Sequence, residues 1–356
     1  MYKARYKKYT LEAKRSLGTS RGSIDSRDIY YIILQNDSGN ETGIGECSTL
    51  KGLSIDHVNG YEEKIKEVCD AINEYVQNPL QRLFEWPSIC FGLETALKDL
   101  QNGGKRILFP SAFTESKEGI YINGLIWMGS YDYMEGQLNA KIKEGFGCIK
   151  IKIGGIDFDE ELRLLSLIRK KYSEKDVELR LDANGAFEKF DDEKVLQKLE
   201  QLSQYNIHSI EQPIMAGSWE RMAEICEHSP IPIALDEELI GRFSFETKKE
   251  LAAKIQPQYL ILKPSLLGGF AGTKEWVDIA EENEISCWMT SALESNIGLN
   301  AIAQWAASLP SEGGNKLPQG LGTGQLYTNN VSSPLVVEQS RLWYKNGAWD
   351  ISPILK

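Results

Sequence analysis

Histidine is scarce: only His57, His208 and His228 occur among 356 residues. Zinc sites and neutral-pH bases lean on imidazole. A metal here is therefore expected to take oxygen ligands, and a base to be another residue type. The six cysteines, at 47, 69, 90, 148, 226 and 287, include no C-x-x-C pair. A chain of this length does not depend on disulfide staples, so reduced, buried thiols in a cytoplasmic setting are expected. There is no basic tract, and the formal net charge is −11. That argues against nucleic acid as a main partner, because phosphate contacts need clustered Lys and Arg. No stretch approaches the roughly 18 apolar residues of a membrane span. The opening MYKARYKKYT is basic but lacks the apolar segment of a signal peptide. No G-x-G-x-x-G follows an early strand, which disfavours a doubly wound nucleotide-binding sheet.

What is present is an ordinary globular mix, 42% hydrophobic and 26% charged. Residues 1–115 read as an α+β unit. Strand patterns at 2–9, 28–36 and 42–47 precede helical patterns at 59–77 and 86–101, and NDSGN is a hairpin turn signal. Residues 116–329 alternate short apolar strands with amphipathic helices, such as 159–172 and 192–205. The strands are YINGLIW, CIKIKIG, VELRLDANG, HSIEQP, PIALDEE, YLILKP, ISCWMTS and QGLGT. Eight such units predict an α/β fold, a (β/α) barrel, with the N-terminal unit as a second domain. Residues 330–356 predict a strand, a turn at Asn346–Gly347 and a second strand, returning to the N-terminal unit.

The polar residues at the barrel strand ends recur one strand–helix unit apart: Lys150 and Lys152, then Asp182 and Asn184, Glu211, Asp236 with Glu237, and Lys263. Strand ends on one face of such a barrel build its active site. Taken singly, each has an ordinary explanation: a helix cap, an exposed acid, a solvated strand edge. Together on consecutive strands they describe three carboxylates flanked by lysines. Three close carboxylates repel in a low-dielectric pocket, and a divalent cation relieves that repulsion. Oxygen ligands favour Mg²⁺, with Mn²⁺ as substitute. A small-molecule carboxylate would complete the coordination. A partly desolvated lysine beside a cation and another lysine has its pKa depressed, which suits Lys152 to act as a base.

This K-x-K, Asp, Glu, Asp, Lys series resembles the enolase superfamily, muconate-lactonising subgroup, over nearly the whole chain. The resemblance implies a modified barrel beneath an N-terminal capping domain. Finer segments are similar to those of o-succinylbenzoate synthases. GIGECSTLKGLSID at 43–56 carries Thr49 and Lys51 where those enzymes have prolines, and WPSICFGLETAL at 86–97 carries Cys90 in place of Arg. INGLI and TSALESNIG are further points of likeness. The resemblance implies Mg²⁺-dependent dehydration of 2-succinyl-6-hydroxy-2,4-cyclohexadiene-1-carboxylate to o-succinylbenzoate, a menaquinone-pathway step. Asp182, Glu211 and Asp236 would be the metal ligands, Lys152 the acid–base residue and Lys263 the electrostatic partner. N-succinylamino-acid racemisation and muconate-type cycloisomerisation remain alternatives. A mandelate-racemase type would want His on strand seven, and a dipeptide epimerase acids at strand eight; neither is present.

For substrate contacts, LGTSRG at 17–22 is expected to be a closing loop, with Arg21 meeting the succinyl carboxylate. Ser291 and Ser295 either bind substrate or cap the helix that follows. Trp127 and Trp288 are assigned to packing, and His57 and His208 to structure. The number of subunits is left open.

Overall fold

The computed structural model describes residues 1–19, 22–309 and 317–356. Strands β1 (Tyr2–Thr19), β2 (Gly22–Asn36) and β3 (Thr42–Ser48) form an antiparallel sheet in that order. β1 and β2 pair from Tyr2↔Asn36 to Thr19↔Gly22, with one irregularity between Glu12 and Leu17. Leu17–Thr19 and Gly22, expected in a loop, are therefore ladder residues at the tip of a long hairpin. The glycines at 18 and 22 disguised them, because the pairing is made by backbone groups. The NDSGN turn closes β2 onto β3, with Gly39 in the left-handed region at φ 68°.

Helices α1 (Tyr61–Asp70), α2 (Ile72–Tyr75), α3 (Pro79–Arg82) and α4 (Pro87–Gln101) cover one face of this sheet. α4 lies against β3 at a glycine contact. A Cβ on Gly45 would sit 1.8 Å from the Gly92 carbonyl oxygen, and one on Gly92 would sit 2.3 Å from Cys47 Sγ.

After β4 (Ile120–Tyr121), seven strands form one parallel sheet in chain order. They are β5 (Gly124–Ile126), β6 (Cys148–Lys152), β7 (Glu178–Asp182), β8 (Ile207–Glu211), β9 (Ile233–Leu235), β10 (Tyr259–Leu262) and β11 (Ser286–Met289). The helices between and after them are α5 (Tyr131–Lys143), α6 (Phe158–Lys171), α7 (Asp192–Ser203), α8 (Trp219–His228), α9 (Phe245–Ile255), α10 (Gly269–Glu282) and α11 (Asn296–Ser308). The eighth position is held by two single bridges, Thr290↔Gly320 and Ile122↔Gln319. Ile149, Ile151, Leu179, Leu181, Ile210, Leu260 and Leu262 face the helices in one large apolar core. The alternate residues therefore face the barrel interior, and there the sequence is charged.

β12 (Leu335–Glu338) and β13 (Arg341–Tyr344) form a hairpin that pairs with β4. Its turn is Gln339–Ser340, both at positive φ (49° and 55°), and not Asn346–Gly347. Pairing continues to Lys345, whose N–H donates to the Pro334 carbonyl at 2.9 Å, so Asn346–Gly347 lies beyond the ladder. The tail then divides from the hairpin. Ile354 of α12 (Ser352–Leu355) packs with Leu11 and Tyr31 of the N-terminal sheet. Among the described residues no helix is long and apolar enough to cross a membrane.

Candidate active site

Five consecutive strands of the sheet, β6–β10, each bring an inward charge to the C-terminal end. In β6 the inward positions are Cys148, Lys150 and Lys152. Lys152 pairs in register with Asp182 of β7, and Asp182 with Glu211 of β8. Glu211 pairs with Ala234, so Asp236 stands two residues further along. That offset is the stagger that strand tilt imposes on a barrel. Lys263 follows the last residue of β10. The five residues thus ring the mouth at staggered heights.

Their contacts are close. Lys150 Nζ donates to Glu211 Oε2 at 2.6 Å and lies 2.9 Å from Asp182 Oδ2. Lys152 Nζ donates to Asp182 Oδ2 at 2.9 Å and to Asn184 Oδ1 at 2.7 Å. Asn184 Nδ2 in turn donates to Glu237 Oε1 at 3.1 Å. Lys263 Nζ pairs with Asp236 Oδ2. Asp182, Glu211 and Asp236 are 1%, 2% and 2% exposed, so these charges sit where water screens them little.

Burial works against the Lys150 ammonium, but Asp182 and Glu211 outweigh it and raise its pKa. Burial likewise opposes the Asp182 carboxylate, yet Lys150 and Lys152 hold it below the usual carboxylate range. Glu211 goes the other way. Burial and the Asp182 charge push it up to about 8 against the pull of Lys150, with Asp236 adding to the rise. For Lys263, burial is outweighed by Asp236 and Glu211, and the pKa rises.

The donor set fits a hard divalent cation. All three side chains offer oxygen, and buried Glu211 Oε1 has no hydrogen-bond partner among the described residues. A cation would also relieve the crowding of negative charge that raises the Glu211 pKa. In this structure the lysines, not one another, hold the carboxylates. Among the described residues, the one group of metal-type ligand atoms all within 4.8 Å of one another is the exposed trio Glu224, Glu227 and His228.

The site opens into a cavity of about 890 Å³. Lys150, Lys152, Asp182, Asn184, Glu237 and Lys263 form its floor; Leu17, Ile24, Leu50 and Leu53 of the N-terminal unit line it from above. Ser291 also lines it, donating to Glu294 Oε2 at 2.6 Å. Ser295 does not. It is fully buried and caps α11, accepting from the Ile297 N–H, while its hydroxyl donates to Glu46. A serine directly before a helix satisfies the helix's first N–H groups better than it serves a ligand. Arg21 lies outside the described residues. Trp288 packs under the Arg180 guanidinium, 4.1 Å from ring centroid to Cζ, as expected for packing. Trp127 both packs and lines the cavity. His57 shares a hydrogen bond with Thr49 Oγ1 at 2.8 Å, and His208 one with Ser209 Oγ at 3.0 Å.

Four supporting residues escaped the sequence reading. Gln212, buried at φ 43°, accepts from the Asp236 and Glu238 N–H groups and so fixes the β9 end. Arg27 donates to the Ala292 and Leu293 carbonyls, each at 3.0 Å, and to the Thr49 carbonyl at 3.1 Å, joining the two units above the site. Glu46 and Glu94 reach from the N-terminal unit onto the first turns of α11 and α10. A polar residue in a strand or buried helix face was their only signal.

Comparison with known proteins agrees with this geometry. The chain is 43% identical to the o-succinylbenzoate synthase of Desulfotalea psychrophila, over 94% of this chain and 96% of that one. It is 26% identical to the o-succinylbenzoate synthase of Bacillus subtilis, over 76% of this chain and 68% of that protein. The crystal structure of MenC from Desulfotalea psychrophila superposes with a TM-score of 0.83 at 39% identity, covering 96% of this chain and 99% of that one. A dipeptide epimerase from Enterococcus faecalis shares the fold at TM-score 0.83 and 20% identity, over 98% and 97% of the two chains. Residues 134–347 match the family described as Enolase C-terminal domain-like. With that match spanning more than half its length, the chain belongs to the enolase C-terminal domain-like family, as an α/β barrel beneath an antiparallel cap.

Proposed function

We infer that the chain catalyses the o-succinylbenzoate synthase reaction, a lyase step of menaquinone biosynthesis. It removes water from 2-succinyl-6-hydroxy-2,4-cyclohexadiene-1-carboxylate. The observation that carries this reading is the 43% identity to a synthase along nearly the full length of both chains, together with the five-residue ring. In it, Lys152 takes the proton from the carbon next to the ring carboxylate. The electron pair left behind moves onto the ring carboxylate as an enediolate, then returns to form the new ring double bond as the C–O bond to the neighbouring hydroxyl breaks. The Lys152 ammonium returns its proton to that hydroxyl, which leaves as water. Lys263, across the ring of strands, faces the charge that builds on the carboxylate oxygens. Asp182, Glu211 and Asp236 would hold Mg²⁺, with Mn²⁺ as substitute, which supplies Lewis-acid stabilisation of that charge. Asn184, between Lys152 and Glu237, keeps the base aimed at the cavity. A cytoplasmic setting belongs to the same reading and is supported by six buried thiols.

The test is turnover of the cyclohexadiene substrate by purified protein with Mg²⁺, followed by product absorbance. Activity should vanish with EDTA and return with Mg²⁺. Two lysines on opposite sides of one carbon also suit racemisation, so N-succinylamino acids belong in the same assay. Racemisation without dehydration would replace this reading.

A further inference from the structure

The substrate of this reaction carries two carboxylates, one on the ring and one at the end of the succinyl arm. The floor of the cavity accounts for the first. We propose that Lys51 is the specificity residue that receives the second; this rests on the reading of function just given.

Three observations support it. First, in a chain of net charge −11, the upper wall of the cavity carries Lys14, Arg15 and Lys51. That places positive potential where an anionic arm would lie. Second, among the described residues Lys51 makes no hydrogen bond or ion pair, so binding an anion breaks no existing contact. Arg15, by contrast, lies over the Tyr133 ring, 5.9 Å from its centroid. Third, Lys51 is held on a fixed turn. The Leu53 and Ser54 N–H groups both donate to the Leu50 carbonyl, at 3.0 and 2.9 Å, and the Leu50 N–H donates to Ser54 Oγ at 2.8 Å. Arg27 ties the residue before this turn, Thr49, to the loop after β11. Leu50 and Leu53 line the same cavity as the exposed Lys51.

The experiment compares the wild type with Lys51→Met and Lys51→Arg on two substrates: the dicarboxylate and its analogue with a primary amide at the end of the succinyl arm. For Lys51→Met, KM for the dicarboxylate should rise about tenfold, the scale of one screened charge-assisted contact, with kcat within twofold. KM for the amide should not move, and Lys51→Arg should restore most of the loss. An unchanged KM for the dicarboxylate, or an equal rise for both substrates, overturns the proposal. If the wild type itself fails to turn over the dicarboxylate, the reading of function falls first. Thermal melting of both variants at the wild-type temperature separates the effect from misfolding.

Discussion

At the scale of single residues, the site is built from charges that stabilise one another only while all are present. Lys152 touches Asp182 and Asn184 and opens onto the cavity. Replacing it by Ala should lower kcat by about 10²–10⁴ while far-ultraviolet circular dichroism stays unchanged; full activity in that variant would refute its role as the base. Glu94 offers a prediction about pH. Burial pushes its carboxyl up to about 7, against the Phe270 and Ala271 N–H groups. The folded state therefore keeps a proton that the unfolded chain has released above its ordinary value of 4.5. Stability from this group is complete below pH 4.5 and is lost as pH rises through 7. Glu94→Gln keeps the acceptor and removes the titration. Its unfolding free energy relative to wild type should improve between pH 5 and pH 8, by an amount on the order of 1–2 kcal/mol, read by denaturant unfolding. A constant difference across that range would sink the assignment.

At the scale of elements, α4 lies against β3 closely enough that added Cβ atoms at Gly43, Gly45 and Gly92 would clash, and the contact is made by the absence of side chains. Gly92→Val should cost about 1–3 kcal/mol or more by overpacking, read as a fall in the denaturant midpoint, while a surface change such as Lys66→Ala should cost little. An unaffected Gly92→Val protein would mean the contact yields easily. Elements of this kind were legible in unequal measure. The parallel strands announced themselves because Ile and Leu alternate with the inward charges, so one pattern reported both the fold and the ring at its mouth. The hairpin tip at 17–19 and the turn at Gln339–Ser340 did not. Backbone pairing leaves no mark on composition, and Asn346–Gly347 imitated a turn that the ladder had already passed. Ser295 and Ser291 looked alike in sequence; only the start of α11 distinguishes a cap from a cavity wall. Glu46 and Glu94 were visible as oddly placed acids, but their partners lie 249 and 176 residues away.

At the scale of the whole molecule, the cap and barrel share their core as well as their active site. Leu11, Tyr31 and Ile44 of the cap pack with Trp127, Ile297 and Val331. The β1 backbone bonds to residues 326–328, through the Lys14 N–H to Leu326 and the Thr328 N–H to Glu12, each at 2.8 Å. Thermal unfolding followed by activity and by near-ultraviolet circular dichroism should therefore show one coincident transition; two separated transitions would mean the units are energetically independent. The closure of the barrel has a consequence for how the protein is made. Ile122 can meet Gln319 only after nearly 200 further residues have left the ribosome, and β1 meets 326–328 later still. Until then a growing parallel sheet has a bare edge and the cap lacks its last partner. Synthesis thus leaves the nascent chain open to mispairing until residues 319–328 have emerged, and the barrel closes only after that.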